Sequence, residues 1–138
     1  MPVHILKLCV GADSVEDLAE WQRWQVANGR RLPVCGTKNW PKRRDEVLAG
    51  GALYWVIKGV ILVRQPILEV AEVEDEHGLR CGFWLDPQLV RTRPAPKRPF
   101  QGWRYLEATD APADLVQGAA GEELPEALRR ELAQLGAW

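Results

Sequence analysis

The run Gly50-Gly51-Ala52-Leu53-Tyr54-Trp55-Val56-Ile57-Lys58-Gly59-Val60-Ile61-Leu62-Val63-Arg64-Gln65 constrains the fold more than any other part of this chain. It is the longest stretch of apolar, β-branched and aromatic residues, bounded by a glycine pair before it and Pro66 after it. Such a composition suits a buried strand. Alternation puts Leu53, Trp55 and Ile57 on one face and Tyr54, Val56 and Lys58 on the other. The run reads as one long strand, Leu53 to Arg64, with a bulge or sharp bend at Gly59. Lys58 interrupts the apolar residues too soon for a membrane span.

The rest of the chain arranges itself around that strand. Val3 to Val10 reads as a first strand, ended by Gly11. Ser14, with Asp17 three residues on, caps a helix whose core face holds Val15, Leu18, Ala19, Gln22 and Val26; Trp21 lies at the edge of that face and Trp24 opposite it. Asn28-Gly29 closes this helix. Leu32 to Thr37 is a short strand, and Trp40 to Leu48 a short helix with Pro41 in its first turn. Beyond Pro66, Ile67 to Glu74 and Leu79 to Leu85 pair across the turn Asp75-Glu76-His77-Gly78. Thr92 to Pro99, with three prolines, reads as an extended loop. Phe100 to Leu106 is a closing strand and Asp110 to Leu115 one helical turn. Leu124, Leu128, Leu132 and Leu135 mark an amphipathic helix over about 122–135. At 138 residues this is one domain, 1–138. The expected class is α+β: a mostly antiparallel, coiled sheet or small partly open β-barrel with an N-terminal helix, a short second helix and a C-terminal helix.

A net charge of −1 gives no overall pull toward polyanions. The distribution differs from the sum. Eight Lys or Arg residues face two acids between Arg30 and Arg64, and five face none between Arg91 and Arg104. Folding either averages this segregation out or gathers it into one basic face, the footprint of a polyanion binder. Thirteen of the eighteen cations are arginine, whose planar donor fork suits phosphate and base edges.

Catalytic signatures are thin. Ser14 is the only serine and serves as a cap. His4 lies in a strand, His77 in a turn, and the carboxylates Glu74, Asp75 and Glu76 in that same turn. Gly50-Gly51 lacks the lysine and hydroxyl of a phosphate loop. Cys9, Cys35 and Cys81 form neither a disulfide framework nor, with two histidines, a zinc site of standard spacing. No cofactor or metal is expected. The N-terminus lacks the pattern of a signal peptide, so the expectation is a cytoplasmic protein.

Aromatic residues interleaved with cations are the positive signal. Trp40, Tyr54 and Trp103 offer stacking surfaces; Lys42, Arg43, Lys58, Arg64, Arg98 and Arg104 offer charge for phosphate; Gln65 and Gln101 offer amides. The opposing reading puts the tryptophans in the core and the cations in solvent. On the first reading the chain is a non-enzymatic module for RNA or a nucleotide-like ligand. The alternative is a protein-interaction module or homodimer burying its seven tryptophans. A small-molecule enzyme would need His4 or a carboxylate beside Tyr54 and Arg64.

His4-Ile5-Leu6-Lys7-Leu8-Cys9-Val10-Gly11, Ser14-Val15-Glu16-Asp17-Leu18, Trp40-Pro41-Lys42-Arg43, Gly51 to Ile61, Arg64-Gln65 and Phe100 to Leu106 carry a resemblance over nearly the whole chain. They resemble the family catalogued as domain of unknown function 1489, found in alphaproteobacteria. That resemblance implies a bacterial protein and brings no activity with it. A looser similarity, in element order alone, is to PUA-like domains with their ASCH and EVE branches. In those, a small bent barrel with flanking helices binds RNA or a modified base.

Overall fold

The computed structural model describes residues 2–9, 11–98, 100 and 102–115. Its elements are β1 (Val3–Leu8), α1 (Val15–Ala27), β2 (Val34–Thr37), α2 (Arg44–Leu48), β3 (Ala52–Ile57), β4 (Val60–Asp75), β5 (Gly78–Leu85), β6 (Val90–Pro96) and β7 (Trp103–Glu107). The strands form one mixed sheet in the order β2-β5-β4-β3-β1-β7, with β6 also paired to β4. Only β1 and β3 run parallel. The expectation of an α+β chain with a mostly antiparallel, partly open sheet agrees with this. The C-terminal helix expected over about 122–135 lies outside the described residues, as does Gln101. Among the described residues no helix is long and apolar enough to cross a membrane.

The central run is a hairpin, not one strand. Ile57 pairs with Val60, leaving Lys58-Gly59 as a two-residue turn. Both turn residues have positive φ, 51° and 79°, as a tight turn matched to strand twist requires. Lysine at the first position costs roughly 1 kcal/mol relative to glycine, which is why the turn is inconspicuous in the sequence. The bulge expected at Gly59 lies instead in β4: Trp55 faces Val63, Val56 faces Ile61, and Leu62 is the extra residue. Leu62 and Val63 therefore both reach the same core.

Two further expectations are corrected. Residues 92–96 of the expected loop belong to the strand β6, paired with β4. It accommodates Pro94 and Pro96 because neighbouring N–H groups carry the bonds: Arg93 donates away from β4 to the Ala113 carbonyl, and Lys97, just past β6, donates to the Gly59 carbonyl at the start of β4. The helical turn expected at Asp110 to Leu115 falls earlier, as a 3-10 turn at Ala108–Asp110; beyond it Asp114 bridges Thr92 in extended form. The second helix also begins at Arg44 rather than at Pro41.

The sheet has two unlike faces. On one, Val3, Ile5, Leu53, Trp55, Ile57 and Phe83 form the main core with Leu18 of α1 and Val47 of α2. Leu18, Ile5 and Phe83 are fully buried, each contributing about 2 kcal/mol. The sheet curls toward this face until Phe83 of β5 meets Trp103 of β7 edge to face, 5.9 Å between ring centres. It stays open: β2 and β7 share no ladder, and Trp103 Nε1 spans the gap to the Asn39 carbonyl (3.0 Å). On the other face, Leu6, Tyr54, Val56, Ile61 and Leu106 pack under Phe100, Ala95 and Ala111. Gly51 marks the crossing of β1, α2 and β3, where a Cβ would collide with the carbonyl oxygens of Val3 and Val47.

Candidate functional site: a cleft between α1 and the curled sheet

The cap on α1 forms as the sequence implies: Ser14 Oγ accepts from Asp17 N–H (3.1 Å), while Asp17 Oδ2 accepts from Asp13 N–H (3.1 Å). Its inward face differs. Val15, Leu18, Gln22 and Gln25 are buried, and Val26 is 46% exposed. Glutamine displaces valine because each buried amide has a dedicated partner. Gln25 brackets Val34, donating to its carbonyl (3.0 Å) and accepting from its N–H (3.1 Å), and so ties α1 to β2. Gln22 pairs its amide reciprocally with that of Gln65, at 2.6 and 2.8 Å.

Between α1, the ends of β1 and β2, and the β4–β5 turn lies a cavity of about 540 Å³. Trp55 belongs to its wall from the sheet side, where it is 3% exposed, and Trp21 from the helix side, where it is 42% exposed. Lys7, Arg30 and Arg80 line it against Asp17, Asp75 and Glu76, so the formal charges balance. Two of the cations are committed. Arg30 donates to the Glu74 carbonyl (2.7 Å), and Arg80 pairs with Asp75 (3.3 Å) and donates to the Gly36 carbonyl (3.1 Å). Cys9 and Cys35 also line it. Burial pushes the Cys9 thiol up to about 12 and the Cys35 thiol up to about 11, leaving both protonated at neutral pH.

None of the described residues expected to bind a ligand (Trp40, Lys42, Arg43, Tyr54, Lys58, Arg64, Gln65, Arg98, Trp103 and Arg104) lines this cavity. Gln65 comes nearest, one hydrogen bond behind it: its Oε1 accepts from Gln22 and from Trp55 Nε1 (2.8 Å), and its Nε2 donates to Gln22 and to the Asp86 carbonyl (2.9 Å). All four positions of that amide are taken, so it has none left for a ligand. Tyr54, Arg64 and Arg104 do share one cross-strand row, through Leu6, on the opposite face. There Tyr54 is 4% exposed and packed rather than available for stacking. Arg64 is held in a two-pronged pair with Asp114, at 2.7 and 2.8 Å.

His4 stands beside Tyr54 (ring centres 5.1 Å), the arrangement an enzyme reading asks for. Its Nδ1 accepts from Ala52 N–H (3.0 Å), so in the neutral ring Nε2 carries the proton. Burial, and then the Arg64 charge, lower its pKa. Neutral His4 can therefore donate but not serve as a base.

The remaining candidates divide between two places. Trp40, Lys42 and Arg43 follow β2. Arg43 is paired with Glu46 and Glu107 (both 2.7 Å), and its N–H donates to Tyr105 Oη (3.0 Å). Those acids answer the cations crowding the start of α2. Trp103 joins this group through Asn39, packed against the core. Lys58 and Arg98 are exposed near the β3–β4 turn, where Lys97 N–H meets the Gly59 carbonyl. Among the described residues, the cation–aromatic candidates are thus distributed over the outer face, the segment after β2 and the β3–β4 turn. The cleft escaped the sequence because its residues come from five separate stretches, and no spacing links Lys7, Trp21, Cys35, Trp55 and Arg80.

No curated protein and no solved structure matches this chain. A family model does match, over residues 5–138. That span covers β1 from Ile5 onward, the later described strands and both α-helices, so the chain belongs to the family described as Protein of unknown function (DUF1489).

Proposed function

We propose that this chain is a non-enzymatic binding module whose cleft takes a nucleotide-like ligand by its ring. The observation that carries the reading is the cavity of about 540 Å³ with Trp21 and Trp55 in its walls and a balanced set of charges around them. That volume lies in the range of small-molecule sites, and the mouth of a curled sheet is a common place for one. The charge balance favours a base or nucleoside over a polyphosphate, which Asp17 and Glu76 would repel. The protonated thiols make contacts rather than act as nucleophiles. A PUA-like arrangement, with a helix across a bent sheet and a base held beside it, is consistent with this reading.

The test is titration with adenosine, uridine, AMP, ATP and a short single-stranded RNA at two salt concentrations, followed by tryptophan fluorescence and calorimetry. Nucleoside binding that Trp21→Ala weakens about tenfold supports the proposal. Silence from every probe at millimolar concentration removes it. Binding of the RNA alone, with a strong salt slope, moves the site to the exposed cations Lys58, Arg98 and Arg104. A homodimer is the second reading, favoured by Trp24 standing 62% exposed on α1. Light scattering that reports a dimer, made monomeric by Trp24→Glu, would select it.

A further inference from the structure

We propose that the ligand of the cleft carries one carboxylate, held by Lys7, on a flat ring of nucleobase size. The proposal rests on the reading of the cleft as a ligand site and adds the chemistry of its anchor. Lys7 sits in β1 on the α1 side, with Trp55 directly across from it on one neighbouring strand and Trp103 on the other. It is half-buried and lines the cavity. Arg30 and Arg80 on the same wall are engaged by carbonyls and by Asp75. The Lys7 ammonium has neither a hydrogen bond nor an ion pair among the described residues. The thiols beside it are neutral and do not balance it.

An ammonium drawn partly out of water between aromatic walls gains most from one anionic partner that completes its hydrogen bonds. A single carboxylate supplies that charge. Two or more negative charges would also meet Asp17 and Glu76, whose carboxylates line the same cavity. A neutral ring would fill the space and leave Lys7 as it is.

The experiment uses the full chain and two ring pairs, uracil against orotate, which adds a carboxylate, and nicotinamide against nicotinate, which exchanges a carboxamide for a carboxylate, by calorimetry at low and at high salt. In at least one pair the acid should bind about tenfold more tightly than its neutral partner. Lys7→Met, which keeps the length of the stem, should erase that preference and leave the neutral ring within twofold of wild type. Lys7→Arg should retain part of it. A neutral ring binding as well as its acid, or an acid preference that survives Lys7→Met, overturns the inference while the cleft stands. Failure of all four probes together with the nucleosides overturns both. Circular dichroism of Lys7→Met against wild type shows whether the variant is folded.

Discussion

The outer face of the sheet and the cleft beneath α1 carry similar residues and put them to different uses. On the outer face, Tyr54, Arg64, Asp114 and His4 are bound to one another or to backbone: Arg64 to Asp114, His4 to Ala52 N–H, Tyr54 packed against the His4 ring. In the cleft, Arg30 and Arg80 are likewise spent on protein partners, but Lys7 is not. The difference teaches that a cation beside an aromatic ring is a weak sign of function. What distinguishes a site is the group left unsatisfied after every local partner has been assigned.

The contrast can be broken most severely at the amide that backs the cleft. Gln65→Leu leaves the Gln22 amide, the Trp55 N–H and the Asp86 carbonyl without partners, and should cost about 3 kcal/mol or more in urea unfolding. The double variant Gln22→Leu with Gln65→Leu should recover part of that loss, since two apolar side chains replace a broken pair. A loss below about 1 kcal/mol would mean that the amides are not committed and that the wall and the cleft do not differ as described.

An intermediate effect is expected from acid. His4 has a pKa in the folded protein below its ordinary value of 6.5, through burial and the Arg64 charge. The unfolded chain therefore takes up this proton first as pH falls. Stability should decline from pH 6.5 down to the folded pKa and level below it, where both states carry the proton. Urea midpoints measured between pH 7.5 and 5 should show this slope, and His4→Gln should flatten it. A midpoint that rises on acidification would contradict a neutral, enclosed His4.

The smallest effect belongs to the Arg64–Asp114 pair, whose side chains are 25% and 46% exposed. Arg64 holds the Asp114 carboxyl below its ordinary pKa. Solvent screening limits the pair to about 0.5–1 kcal/mol, present above the unfolded carboxylate range and lost as pH falls through the lowered value. Asp114→Asn should cost that much at low salt and less at high salt. Its affinity for the probes of the cleft should equal that of wild type. A changed affinity would join the two faces functionally and dissolve the comparison.

Short-range physical chemistry made several features legible from the sequence. Ser14 and Asp17 mark the start of α1, Asp75 to Gly78 the β4–β5 turn, and Phe100 to Leu106 overlaps β7 over Trp103 to Leu106, because caps, turns and two-residue periodicity are written within a few positions. The two-residue turn at Lys58-Gly59 was hidden by a lysine where asparagine or glycine is usual, and β6 by its prolines. Pairing decisions are longer in range. Whether Arg43 and Arg64 were free for phosphate depended on Glu107 and Asp114, 64 and 50 positions away. Whether Gln65 was free depended on Gln22, 43 positions away. Only the curl of the sheet, which brings Trp55, Lys7 and Cys35 under the Trp21 side of α1, created the cleft. Residue type sets which hydrogen bonds and charges a side chain can offer; distance in the folded chain sets which of them remain unused.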